Sequence, residues 1–353
     1  MPLDLVLPDT VPITLPQVPG RDEADRTSPE PTWKPDVLGG DYEQLTLPLR
    51  PDEEGGVVAT LVRHTPGAGL PAGALSDADI LYVHGWSDYF FQTHVADYWA
   101  AQGARFHALD LRKYGRSLRS WQTPGFIDDL ADYDEDIDAA LSAIGHGSTD
   151  SPSRRLLLVG HSTGGLVLSL WADRHPGAAS AVILNSPWLE FQGDTLGRVA
   201  ATPILALSAR FKPLGELPRL DLGHYARSLL RRHGGEWDYD LLWRPEHGFP
   251  ATPAWLRAIL AGHTAVARGL QIDAPVFVWL SSSSVFGAFW NERMRYADVA
   301  LDVDEVAQRA LRLGPVVTVT RVADAVHDVM LSRADVRATA EGALTRWLRG
   351  YVY

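Results

Sequence analysis

The 353-residue chain is nearly half hydrophobic (46%), carries a formal charge of −12 and has no cysteine. Its length suits one large domain with an inserted subdomain, or two smaller domains. The acidic balance argues against a nucleic-acid partner, and the lack of cysteine excludes disulfides, a thiolate nucleophile and cysteine-based metal sites.

Residues 1–36 hold eight of the 24 prolines, a composition that cannot nucleate a helix. Residues 1–40 are therefore expected to form an extended N-terminal arm. Its apolar pieces, such as DLVLP, and Trp33 suggest that it lies against the domain. The start has an early aspartate and no basic stretch, so it does not read as a secretory signal, and no run approaches the roughly 20 apolar residues that span a bilayer. A cytoplasmic protein is the expectation.

From residue 41 the pattern is regular. DYEQLTLPLRP (41–51) and GGVVATLVRHTP (55–66) read as an opening β-hairpin. ADILYVHGW (78–86) is a continuous apolar strand ending in glycine, HVADYWAAQG (94–103) has helical spacing, and ARFHALDLR (104–112) reads as a strand. The basic residues of LRKYGRSLR (111–119) suit a solvated loop. A long helix is expected in 125–145, a strand in RRLLLVG (154–160), a helix in GGLVLSLWADRHP (164–176) and a strand in ASAVILNSP (179–187). Apolar strands without alternation, each followed by a helix, indicate a mostly parallel sheet covered on both faces, an α/β architecture that is doubly wound after a hairpin start.

The alternation fails over 188–272. This segment carries Trp188, Phe191, Phe211, Trp237, Tyr239, Trp243, Phe249 and Trp255 among short helical pieces, and reads as a cap inserted between the two parts of the core, 41–187 and 273–353. Strands resume in DAPVFVWLSSSS (273–284) and PVVTVTRV (315–322). SRADVRATAEGALTRWLRGY (332–351) closes the chain as a helix, with Ser332 and Asp335 giving it a capped start.

The chemistry-bearing motif is Gly160-His161-Ser162-Thr163-Gly164, a G-x-S-x-G between a strand and a helix. A sharp turn there holds the serine in strained geometry and requires small flanking residues, here Gly160 and Gly164. A serine hydroxyl is a poor nucleophile without a base, and the base needs a partner that fixes its tautomer. Of the twelve histidines, His327 is the expected base, because it follows the last strand on the sheet edge that carries the serine turn. His161 is read as packing and His84 as orienting its loop. The acid is expected between residues 284 and 327, with Asp298 first, Asp302 second as a helix cap, and Asp304 and Glu292 after them. Backbone amides of Thr163 and Trp86 are the expected donors to an oxyanion.

Together the strand-ending HGW, the DLRKYGRS loop, the GHSTGG elbow, the aspartate of YADVALDV and the late AVHD resemble the α/β-hydrolase fold. Within it they are most similar to the monoglyceride lipase, lysophospholipase and serine aminopeptidase group, over about residues 41–351. The resemblance implies Ser162 as nucleophile, Asp298 as acid, His327 as base, and Trp86 and Thr163 as oxyanion donors. Two features depart from the family pattern: SSSSVFGAFWNERMRYAD replaces the usual short Gly-x-x-Asp, and the cap is rich in tryptophan.

The leading expectation is a serine hydrolase acting on a small carboxylic ester with an apolar or aromatic group, with no cofactor or metal. An acyltransferase would use the same triad. An amidase or peptidase would need an amine site, for which Glu190, Asp194, Glu236 and Asp238 are candidates. A non-catalytic ligand-binding protein on this scaffold is the reading from a different class.

Overall fold

The computed structural model describes residues 32–146, 154–191, 210, 212–217 and 222–353. The first 31 residues of the arm, together with Asp194 and Phe211 of the expected cap, lie outside the described residues.

Among the described residues nine strands form one sheet in the order β1-β2-β3-β5-β4-β6-β7-β8-β9. β1 (Lys34–Pro35), β2 (Tyr42–Asp52) and β3 (Gly55–His64) are antiparallel, and β3 pairs antiparallel with β5 (Arg105–Asp110). The rest of the sheet is parallel: β4 (Ala78–Val83) lies between β5 and β6 (Arg155–His161), followed by β7 (Ala181–Asn185), β8 (Val276–Ser281) and β9 (Val317–Val322). The inner strands β4 and β7 are buried at every residue, which is why their sequences run apolar without alternation.

Two apolar layers flank the sheet. One packs α1 (Thr93–Ala100), through Val95, Ala96 and Trp99, and the closing helix, α7 (Ala334–Tyr351), through Ala340, Leu344 and Trp347. The other packs α2 (Tyr133–Ala143), α3 (Thr163–Arg174), α5 (Pro253–Arg268) and α6 (Val303–Ala310). In α5 the face carrying Gly262 lies against Leu130, Leu166 and Leu170, where an added Cβ would have no room. The segment 188–272 thus ends in a helix of the core layer. Its other described helix is α4 (His224–Leu229), over the carboxyl edge of the sheet.

The structure corrects three local expectations. The 125–145 helix begins only at Tyr133, after a short 3-10 turn at Leu130–Asp132 that Asp129 caps. Ser332 does not cap α7: its hydroxyl accepts from Val326 N, and the residue before the helix, Arg333, makes no side-chain cap. The loop 111–119 is not solvated at Arg112, Lys113 and Arg116. Lys113 is fully buried between Asp52 and Glu54, Arg116 joins Asp36 (2.6 Å) to Asp110 (2.8 Å), and Arg112 bonds Asp136 (2.7 Å). Buried charges persist only when paired, and the partners come from β2 and the turn after it, from residue 36, from β5 and from α2. Residues 32–40 are held to the core by this Asp36–Arg116 pair and by Trp33 beneath Arg63.

His107 on β5 is buried in the sheet, and burial pushes its pKa down to about 4, against a smaller opposing effect of Asp79. The native state therefore binds fewer protons than the unfolded chain between the two pKa values. The corresponding stability is complete above pH 6.5 and lost as the pH falls toward 4, at most about 3 kcal/mol. We expect the urea midpoint to fall between pH 7 and 4.5 and to fall less steeply in His107→Gln. Equal slopes would remove His107 as a cause.

Candidate active site

The carboxyl ends of β4, β6, β8 and β9 converge on one edge of the sheet, which carries His84-Gly85-Trp86, Ser162, the segment leading to Asp298, and His327. Ser162 stands between β6 and α3 with φ 51° and ψ −117°, a conformation that L-residues avoid and that surrounding structure must impose. Its N–H donates to Asn185 O (3.0 Å) and its carbonyl accepts from Gly165, Leu166 and Trp188, so the turn is fastened to β7 as well as to its own helix. A Cβ on Gly160 would lie 2.8 Å from Gly164 O, and one on Gly164 would strike the carbonyls of Val83 and His84. The two glycines let strand and helix meet closely enough to present the serine.

His327 Nδ1 lies 2.8 Å from Asp298 Oδ2, and its Nε2 lies 3.1 Å from Ser162 Oγ. A carboxylate only accepts, so Nδ1 carries the proton and Nε2 is left to accept from the serine hydroxyl. Asp298 is wholly buried, and its Oδ1 accepts from Ala300 N (2.7 Å) and Leu301 N (2.8 Å). The other acidic candidates are engaged elsewhere. Asp302 caps α6 through Asp304 N and Glu305 N, Asp304 pairs with Arg321, and Glu292 bonds Trp290 and Arg295.

Neither Trp86 N nor Thr163 N donates to a protein acceptor among the described residues, and both residues line the cavity beside Ser162. Gly85 approaches so closely that a Cβ there would sit 3.0 Å from Ser162 Cβ. His84 orients this loop: its Nε2 accepts from Leu111 N (3.1 Å) and its Nδ1 donates to Gly85 O (2.7 Å). His161 packs against the His327 ring, and burial lowers its pKa.

The cavity in front of Ser162 holds about 480 Å³. One side is aromatic: Trp86 lies on Trp255 (3.8 Å between ring centroids), Trp188 follows at 5.8 Å from Trp255, and Phe249 and Leu256 extend the surface. On the His327 side, Tyr225 of α4 stands edge-on to that ring at 5.1 Å, and Arg244 lies over Tyr225 and 3.3 Å from Asp88. Burial, the largest single effect, opposes the Arg244 charge, but Asp88, Tyr225, Tyr239 and Asp328 together outweigh it and the guanidinium pKa is raised. Asp88 Oδ2 has no hydrogen-bond partner among the described residues. Sequence reasoning missed Asp88, Tyr225 and Arg244, which carry no motif and meet only through the fold. It also missed Asp328, whose carboxylate accepts from Asn185 Nδ2 (2.6 Å) and Met330 N (2.9 Å) and so ties the His327 loop to β7.

The candidate amine-binding carboxylates are occupied where they are described. Glu190 pairs with Arg309, Glu236 with Arg337 (3.2 Å) and Asp238 with Arg231 (2.8 Å).

A family model described as serine aminopeptidase, S33, matches residues 75–283, which includes the strand-ending HGW and the elbow and stops short of Asp298 and His327. A monoacylglycerol lipase of Mycolicibacterium smegmatis is 30% identical over 109 residues, 31% of this chain and 37% of the lipase, so the match spans little more than a third of that relative. Among solved structures, a soluble variant of Saccharomyces cerevisiae monoglyceride lipase superposes with a TM-score of 0.58 at 15% identity over 94% of this chain and 99% of its own. The monoacylglycerol lipase of Paleococcus ferrophilus gives 0.56 at 16% identity over 79% and 97%. A carboxyl esterase of Bacillus coagulans gives 0.57 at 14% identity over 88% and 99%. At these identities the structural likeness speaks for the fold.

Proposed function

The chain belongs to the serine aminopeptidase S33 family of the α/β-hydrolase fold, and on that premise we propose that it is a serine hydrolase that cleaves carboxylic esters through Ser162, His327 and Asp298. The observation that carries this reading is the unbroken hydrogen-bonded line Asp298–His327–Ser162, which ends in a cavity with one aromatic side. Ser162 Oγ attacks the ester carbonyl and passes its proton to His327 Nε2, while Trp86 N and Thr163 N receive the developing oxyanion. His327 then returns that proton to the leaving alkoxide, and the alcohol departs from an acyl-enzyme. A water activated by His327 attacks the acyl carbon, releases the carboxylic acid and restores Ser162. Asp298 holds the imidazole in the required tautomer throughout.

The acyl group lies on the aromatic side, against Trp86, Trp188 and Trp255. The leaving alcohol must lie beside His327, which protonates it, and there Asp88 and Arg244 form a pair of no net charge that offers both an acceptor and a donor. An apolar chain esterified to a neutral polyol suits both sides. The curated relative is named for such a substrate, a monoacylglycerol.

A panel of p-nitrophenyl esters from acetate to dodecanoate tests the reading. We expect an initial burst of nitrophenol equal to the enzyme concentration, followed by steady turnover that is fastest with medium acyl chains. No release from any member overturns it. Transfer of the acyl group to added glycerol in preference to water would make the chain an acyltransferase, and cleavage restricted to aminoacyl p-nitroanilides would make it a peptidase.

A further inference from the structure

Between β8 and Asp298 the chain makes a long excursion closed at its neck: Asp298 N donates to Ser283 O (2.9 Å), Asp298 O accepts from Val285 N (2.8 Å), and Ser284 Oγ donates to Leu301 O (2.7 Å) and accepts from Val303 N (3.0 Å). This neck holds the Asp298 backbone on both sides, so the excursion beyond it, residues 286–297, is not needed to place the acid. Its far end grips α4 instead. His224 Nε2 donates to Gly287 O (3.1 Å), Arg227 lies 4.7 Å over the Trp290 ring, and Arg295 bonds His233 O just beyond the helix. Buried Met294 anchors the excursion from within.

The gripped helix is the one that carries Tyr225 against His327. Val285, Phe286 and Gly287 of the excursion line the same side of the cavity as His224, Tyr225 and Ala226. The base protonates the leaving oxygen, so the group that departs must occupy the space next to His327. From this arrangement we infer that residues 286–297 act as a strap that clamps α4 beside the base and limits the size of the alcohol that can leave, through Trp290 and Arg227 acting as positioning residues.

The inference rests on the proposed ester hydrolysis and predicts a change in one direction of specificity only. Trp290 and Arg227 lie outside the cavity lining, so loosening their contact frees the wall without removing a group from the site. In Trp290→Ala, kcat/KM for butyrate esters of large alcohols (2-naphthol, cholesterol) is expected to rise about tenfold relative to methyl butyrate. The ratio between p-nitrophenyl butyrate and octanoate should stay within about twofold of wild type. Arg227→Leu, which removes the other half of the contact at an exposed residue, should reproduce the shift.

A merely structural role would lower all these rates together. Unchanged alcohol selectivity in both variants overturns the strap while leaving ester hydrolysis intact. A second measurement separates the two ideas: the rate of Ser162 phosphonylation by a fluorophosphonate against a p-nitrophenyl phosphonate of the same chain. Faster reaction of the variants with the bulky leaving group alone supports the strap even if no ester is turned over. Equal ratios overturn it, and a wild-type chain that neither hydrolyses esters nor is phosphonylated overturns both.

Discussion

Ser162→Ala is expected to abolish labelling by a fluorophosphonate probe and to lower ester turnover by about 10⁴-fold or more. The side chain is the only part of the residue that changes, and the turn itself is secured by backbone bonds: Ser162 N to Asn185 O, and Ser162 O from Gly165, Leu166 and Trp188. The variant should therefore keep its fold, which a thermal unfolding curve checks. His327→Ala should give a loss of similar size, and the double variant little more, because the proposed nucleophile and base, 3.1 Å apart, would act as one unit. The residual rate measures what Trp86 N, Thr163 N and substrate binding contribute without a nucleophile. Retained labelling in Ser162→Ala would locate the reactive group elsewhere.

Asp298→Asn should cost about 10⁴-fold in kcat with little effect on stability. The amide oxygen can still accept from Ala300 N and Leu301 N, so the loop stays in place. The amide nitrogen then faces His327 Nδ1 and donates to it, which forces the proton onto Nε2. The imidazole can no longer accept from Ser162. Asp302→Ala is the matched control. It removes the cap of α6, worth about 1 kcal/mol, and should leave kcat within about twofold, because Asp302 bonds only the helix N–H groups of Asp304 and Glu305. A reversed pattern, with Asp302→Ala inactive and Asp298→Asn active, would reassign the acid.

How much was legible beforehand varies with the range of the interaction involved. The apolar runs of β4, β6, β7 and β8 and the glycines at 160 and 164 are local signals, because strand burial and turn geometry are written in neighbouring residues. From these the mostly parallel sheet and the serine turn could be read, and the chain does adopt the α/β arrangement expected. The proposed acid was legible only as a short series of candidates. Asp298 and Asp302 are close in sequence, and what separates them is which one points at His327 and which one turns to cap a helix.

The sequence by itself determined the fold class and the glycine-flanked serine turn, since each depends on residues near one another in the chain. The tertiary structure decided whatever depends on a partner distant in sequence. It turned a basic stretch read as solvated into buried ion pairs with Asp36, Asp52, Glu54 and Asp136. It took Ser332 from a helix cap to Val326 N. It also set Arg244 against Asp88 and laid the excursion after β8 on α4, so that a departure from the family pattern became a wall of the site. A charge or hydroxyl shows its chemistry in its own name, but its partner, and therefore its ionisation and its use, is fixed only when the chain closes around it.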